Sequence, residues 1–159
     1  MKMNYKILPA LALGLAISLS CTSSAIAADA AGYGSGTQKV LSNLPLKNGL
    51  SVTRVASNIG LSSDAHEGLF HGATQQCLAT IVSGADGSVI EGHGSCDGID
   101  PDGDVWWISL SIGGDGPYHW SITGGTGKYK GLAMSGVSNV VAEHDDGIVV
   151  FRFEGNYEH

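Results

Sequence analysis

The segment CLATIVSGADGSVIEGHGSC, Cys77 to Cys96, decides how the chain folds. At its centre, Asp86-Gly87 is a strong signal for a two-residue β-hairpin turn. The two cysteines lie equally far from this turn, so they are expected to face each other as a hydrogen-bonded pair, with about 5.5 Å between their Cα atoms. That spacing suits a disulfide, although a β-bulge between the cysteines would break the register. The segment therefore predicts two antiparallel strands joined by a Cys77–Cys96 bridge.

Short β-rich runs and turn signals continue through the rest of the chain at intervals of about ten residues. Gly contributes 24 residues and Pro 4. This pattern is typical of an all-β barrel or sandwich, and the short connections favour antiparallel neighbours. The eight predicted strands are Gln38–Leu46, Leu50–Ile59, Gly68–Val82, Ser88–Asp97, Val105–Ile112, Tyr118–Thr123, Leu132–Glu143 and Ile148–Tyr157.

Residues 1–27 have the features of a cleavable signal peptide. Lys2 and Lys6 form a basic start, residues 7–19 are apolar but short for a membrane span, and residues 25–27 fit the small-x-small cleavage rule. Lipid modification of Cys21 is the alternative, but the residue three positions earlier is serine instead of the usual Leu or Val.

The mature chain is therefore predicted to begin at Ala28 and to be exported, to the periplasm or to the medium. Residues 28–36, rich in Ala and Gly, are expected to be a flexible lead-in, and residues 37–159 a single domain. In an oxidising compartment, the two remaining cysteines favour a disulfide.

The charge balance argues against two classes of partner. The full chain has a net charge of −7, and loss of Lys2 and Lys6 would leave 6 basic side chains against 15 acidic ones. Nucleic-acid binding depends on neutralising phosphates, and anionic lipid attracts basic segments, so we expect neither partner.

The glycine-rich segment ITGGTGKYKG, Ile122 to Gly131, superficially matches a phosphate-binding loop. A P-loop would need glycine at the position of Ile122 and Ser or Thr at the position of Tyr129, and no helix signal follows. The segment instead predicts a strand–turn–strand connection. Lys128 is expected to point to solvent and Tyr129 to pack over the end of a barrel.

Together with Trp120 and the trailing Met134-Ser-Gly136, this segment resembles the Gly-Gly-Thr/Ser-Gly-x-aromatic signature of dirigent proteins and plant allene oxide cyclases. It is more similar to small exported bacterial proteins of the same barrel type, in which a cysteine precedes an Asp-rich turn, here Cys96 to Asp104. The resemblance covers about residues 92–136. It implies an eight-stranded antiparallel barrel, often trimeric in the plant relatives, whose chemistry needs no cofactor. The acidic and basic groups that those families use have no match here, so catalysis does not carry over.

A barrel of this size can hold one small ligand, and aromatic side chains would supply its walls. Alternation along the strands separates two faces without showing which one lines the lumen. Polar candidates are His93 and Glu91, which share a strand face, and Arg152 in an apolar strand; the alternative is that they face water. The aromatic candidates are Trp106, Trp107, Tyr118, Trp120 and Phe151.

Two motifs raise the question of a metal site. Asp100, Asp102 and Asp104 resemble the start of a calcium loop, but Ser111 stands where a full loop needs glutamate. A simpler calcium turn and a solvated turn both stay open. The segment HEGLFH, residues 66–71, has one residue too many for a zinc-protease helix, so we expect no zinc there.

Two functions follow as hypotheses. The first is a binding or structural module that holds a small apolar or aromatic molecule in the barrel mouth. The second is a cofactor-free isomerase, cyclase or coupling guide, as the resemblance implies, which polar groups inside the lumen would favour. A completely filled apolar lumen would argue against both and leave a scaffold whose outer surface meets other proteins.

Overall fold

The computed structural model describes residues 29–114 and 116–158, which form a closed barrel of eight antiparallel strands in sequence order. Strand β1 closes the barrel by pairing with β8. This confirms the predicted all-β barrel, whereas the predicted signal peptide lies outside the described residues. No helix in the described ranges is long and apolar enough to cross a membrane. The strands are β1 (Ala30–Pro45), β2 (Ser51–Ser63), β3 (Thr74–Ser83), β4 (Val89–Ile99), β5 (Val105–Gly113), β6 (Tyr118–Gly125), β7 (Met134–Glu143) and β8 (Ile148–Tyr157).

The predicted bridge between β3 and β4 is present, with Cys77 directly opposite Cys96 and bonded to it. Their Cα atoms are 4.1 Å apart. Because this is close to the spacing of a non-hydrogen-bonded pair, the expected hydrogen-bonded pair at about 5.5 Å is wrong.

The turn between β3 and β4 explains why the predicted register of the cysteines is right although the predicted turn length is wrong. The Gly84 N–H donates to the Ser88 carbonyl at 2.8 Å, which closes a three-residue loop instead of the predicted two-residue turn. A bulge at Ile90 then adds one residue to β4. The two deviations cancel, so the cysteines keep the relation that the Asp86-Gly87 turn predicted.

The flexible lead-in predicted for residues 28–36 is wrong from Ala30 onward, because these residues form the first part of β1. They pair with β2 on one side and with β8 on the other. A Cβ added at Gly34 would overlap the ring of Phe151, and one at Gly32 would crowd the ring of Phe153. The small residues of this segment therefore make room for aromatic rings in the lumen.

One end of the barrel is filled by five aromatic side chains, which we call the aromatic plug: Phe70, Trp106, Trp120, Tyr129 and Phe153. Phe70 is at its centre, 3% exposed, with its ring centroid 5.3–6.0 Å from the other four. Its backbone N–H donates to the Tyr129 hydroxyl at 3.1 Å. The plug confirms that Tyr129 packs over a barrel end and leaves the opposite end as the mouth.

The segment that carries Phe70 was wrongly predicted as strand. Residues 68–73 precede β3 and form a loop over the barrel end. Phe70 has a φ of 65°, a left-handed conformation that is rare for a bulky residue. Burial of its ring among four others offsets the cost of that conformation and turns the chain inward.

Candidate functional site

The lumen between the aromatic plug and the mouth contains two adjoining cavities. The inner cavity, beside the plug, has a volume of about 40 Å³. The outer cavity, toward the mouth, has a volume of about 90 Å³. They share part of their walls, and the shared residues are Gln75, Cys96, Leu110, Ser138 and Phe151.

The outer cavity is mostly apolar and contains a few polar groups. Among the described residues, none of those lining either cavity has a charged side chain. An ionised ligand would lose its hydration here without gaining an opposite charge, at a cost of several kcal/mol. The site therefore suits a neutral molecule. Its polar side chains are Gln38, Ser57, Gln75, Tyr118 and Ser138.

Among the described residues that line the outer cavity, Tyr118 has the one titratable side chain, since Cys77 and Cys96 are joined in the disulfide. Burial raises the pKa of Tyr118 above its ordinary value, and the negative charge of Glu143 adds to the effect. The hydroxyl therefore stays protonated near neutral pH. In that form it can donate one hydrogen bond to a ligand and accept another.

Beyond the outer cavity, a groove of about 380 Å³ continues at the mouth. It shares Ile112, Tyr118 and Ser138 with the outer cavity, and Pro117 and Val140 extend it outward. A molecule too long for the cavity can therefore place one end in the lumen and the other in the groove.

The structure places four of the five predicted aromatic residues inside the barrel. Tyr118, Trp120 and Phe151 line the cavities, and Trp106 is completely buried in the aromatic plug. The assignment of Trp107 to a ligand site in the lumen is wrong, because this side chain is 47% exposed on the outer face. Adjacent residues of a strand point to opposite faces, so Trp106 and Trp107 cannot both face the lumen.

The predicted polar residues of the lumen lie outside it. His93 and Glu91 are exposed on the outer face of β4, so their assignment to the ligand site is wrong and the solvent-facing alternative is right.

Arg152 also lies outside the lumen, and its assignment to the ligand site is wrong. It binds Asp64 at 2.8 Å and Glu154 at 3.2 Å, and its guanidinium lies 5.0 Å from the centre of the Tyr33 ring. The hydrogen bond from Arg152 lowers the pKa of Asp64. This cluster fastens the loop after β2 to β8 and holds the Arg152 guanidinium away from the cavity.

The Asp-rich turn binds a lysine at the position where the calcium alternative placed a metal ion. The Nζ of Lys128 is 2.7 Å from Asp100 Oδ2 and 2.8 Å from Asp102 Oδ2. The other oxygen of Asp100 accepts the N–H groups of Asp102 and Asp104 at 2.9 and 3.0 Å. The described residues contain no group of three metal-binding side chains. The ammonium group thus holds Lys128 against this turn instead of leaving it to extend freely into solvent, and the calcium alternative stays a prediction.

Sequence reasoning missed four of the five polar residues that line the outer cavity, since only Tyr118 was among the predicted candidates. Gln75 is two positions before Cys77, so alternation puts both side chains on one face once the inward direction of Cys77 is known. Ser138 sits opposite Tyr118 in the β6–β7 register and faces the lumen with it. Both residues read as ordinary surface positions in the sequence, because a lone Gln or Ser in a strand usually faces water.

Comparisons with family models, with curated proteins and with solved structures gave no match for this chain. The resemblance to allene oxide cyclases and dirigent proteins therefore stays a prediction.

Proposed function

We propose that this protein binds a small, neutral, mainly apolar molecule in the outer cavity of the barrel. The observation that supports the proposal is the wall of that cavity, which combines apolar side chains with five polar, uncharged ones. Such a composition is typical of sites that hold an apolar body and orient it with a few hydrogen bonds.

The volume of the cavity limits the ligand. An apolar cavity of about 150 Å³ holds one benzene molecule, whereas sites for drug-sized ligands begin near 300 Å³. The outer cavity, at about 90 Å³, therefore takes a molecule of a few heavy atoms or one end of a longer molecule. In the longer case, the remainder lies in the mouth groove beside Pro117 and Val140.

A cofactor-free isomerase, cyclase or coupling guide receives less support. Acid–base chemistry needs a group of suitable pKa within hydrogen-bond reach of the substrate. The predicted candidates His93, Glu91 and Arg152 lie on the outer surface, and of the described residues that line the cavity only Tyr118 contributes a titratable proton. Ligand binding without a reaction does not require a general acid or base in the cavity.

The test compares neutral and charged probes of similar shape. Thermal unfolding is measured with indole and methyl benzoate, which are larger than the cavity and must place one end in the mouth groove, and with benzoate as the charged counterpart. A ligand at one hundred times its Kd stabilises the folded state by about 2.7 kcal/mol. We expect the neutral probes to raise the unfolding temperature and benzoate to leave it unchanged.

Two variants locate the effect. Ala79→Leu fills the outer cavity, and Thr80→Leu adds the same side chain on the outer face of the same strand. The first should abolish stabilisation by the probes and the second should preserve it; Ser57→Leu repeats the first test if Ala79→Leu does not fold. Equal stabilisation of both leucine variants, or of the wild type by benzoate, would refute the proposal.

A further inference from the structure

A row of polar side chains runs across the outer face of the barrel, away from the lumen. Asn58, Gln76, Asp97 and Trp107 occupy facing positions on β2, β3, β4 and β5. All four are exposed. Neighbouring strands are about 4.8 Å apart, so the row spans about 14 Å. It brings two amides, one carboxylate and one indole into line on a single surface.

The first three residues of this row line a groove of about 520 Å³. Its wall continues through Gly60 and Thr74, whose small side chains leave the surface open. In the part of the chain that the structure describes, Asp97 is the one charged residue that lines the groove, and none of the lining residues is basic. The groove therefore lacks the cations that would hold a phosphate, sulfate or carboxylate group.

Trp107 lies beside this groove and is not part of its wall: it faces Asp97 across the β4–β5 pair, and its ring leans toward β6. Its ring lies against Gly124, where an added Cβ would be only 3.0 Å from Cε3 of the indole. The next outward residues of the same strand, Ser109 and Ser111, are short. The large indole is thus surrounded by small side chains, and 47% of the surface of Trp107 is exposed.

We propose that this outer groove, together with the adjoining indole of Trp107, is a second binding site, for neutral saccharide chains. A sugar ring has an apolar C–H face that packs against an aromatic ring, and hydroxyl groups that both donate and accept hydrogen bonds. The indole of Trp107 supplies the apolar surface. The amides of Asn58 and Gln76 can donate and accept, and the carboxylate of Asp97 accepts from hydroxyl donors. A chain of sugars lying across the strands can contact all four residues.

The proposal is independent of the lumen site because the barrel wall separates them. Asp97 points outward, whereas its neighbour Cys96 is buried and lines both cavities. A variant that fills the lumen should leave saccharide binding unchanged, and a variant of Trp107 should leave the response to indole unchanged.

The experiment begins with the fluorescently labelled protein on an array of neutral and acidic oligosaccharides. The best neutral ligand is then titrated by calorimetry against the wild type and variants. We expect Trp107→Ala to weaken binding at least tenfold, Gln76→Ala to weaken it less, and Trp107→Tyr to retain most of the affinity. Tyr157→Ala removes another exposed aromatic side chain, and Ala79→Leu fills the lumen; both should bind as the wild type does.

Three results would overturn the proposal: no neutral saccharide retained on the array, a preference for acidic saccharides, or unchanged affinity of Trp107→Ala. The urea unfolding midpoint of each variant shows whether it is folded. If Trp107→Ala does not fold, Gln76→Ala and Asp97→Ala test the same row, and unchanged affinity of both variants would overturn the proposal.

Discussion

Reduction of the Cys77–Cys96 bridge should lower the free energy of unfolding by about 3 kcal/mol. The two cysteines are separated by 19 residues. Cross-linking a chain segment of this length removes conformational freedom mainly from the unfolded state, and chain-entropy estimates give about 3 kcal/mol for it. Because the register of β3 and β4 already places the cysteines face to face, the barrel should keep its fold without the bond.

The assay is urea unfolding, followed by tryptophan fluorescence, with and without a reducing agent. Urea m-values of about 1–3 kcal/mol per molar translate the loss into a midpoint that falls by about 1–3 M. The double variant Cys77→Ala/Cys96→Ala should unfold near the reduced wild type. Its midpoint should not respond to the reducing agent, which controls for effects on the solvent or on other groups.

Two outcomes would refute this reasoning. A loss below about 1 kcal/mol would mean that the unfolded chain is not constrained by the bridge as the entropy estimate assumes. A much larger loss, with the reduced protein unfolded in water, would mean that the strands need the bond to pair. If the reduced protein is folded, the urea midpoint of the double variant should lie slightly below that of the reduced wild type. The reason is that Cys96 is buried and alanine leaves part of its volume empty.

Two further predictions concern the aromatic plug and the Asp-rich turn. Phe70→Ala should lower the free energy of unfolding in urea by about 3–5 kcal/mol, because it empties the centre of the plug, and Phe70→Leu should cost less; equal losses would contradict a packing role. Burial alone would raise the pKa of Asp100, but hydrogen bonds from Lys128 and from the backbone N–H groups of Asp104 and Asp102 outweigh it, so the pKa is lowered. The unfolded chain therefore takes up the proton first as the pH falls, and this stabilisation is present above about pH 4 and is lost as the pH falls further. The free energy of unfolding is measured from pH 2 to 7. Asp100→Asn should be less stable than the wild type at pH 7 and should lose less stability as the pH falls, whereas the more exposed Asp102→Asn should resemble the wild type. Parallel curves for Asp100→Asn and the wild type would show that the Asp100 carboxylate does not contribute this stability.

The strands were predictable wherever alternation and turn residues agreed. Strand β8 has the predicted bounds, and β5 and β6 begin where predicted. Apolar residues at every second position need one buried face, and Gly-rich or Asp-rich connections end each run. The cysteine register was also predictable, because the bulge and the longer loop change it in opposite senses.

Elements that depend on distant partners could not be predicted in the same way. The Ala- and Gly-rich start of β1 reads as flexible because the sequence does not show the rings of Phe151 and Phe153 that need the space. The ion pair of Lys128 with Asp100 joins residues 28 positions apart through two strands and two turns. Local composition contains no information about either contact.

The position of His93 and Glu91 could have been settled from the sequence by one more step. A disulfide between neighbouring strands of a small barrel is an apolar group, so its favoured side is the lumen. Cys96 then points inward, and residues an odd number of positions away on the same strand, His93 and Glu91, point outward. The same step cannot reach Trp107, because the register between β4 and β5 depends on the turn held by Asp100 and Lys128. Alternation thus shows which residues of one strand share a face, and long-range contacts fix the register of that strand against its neighbour.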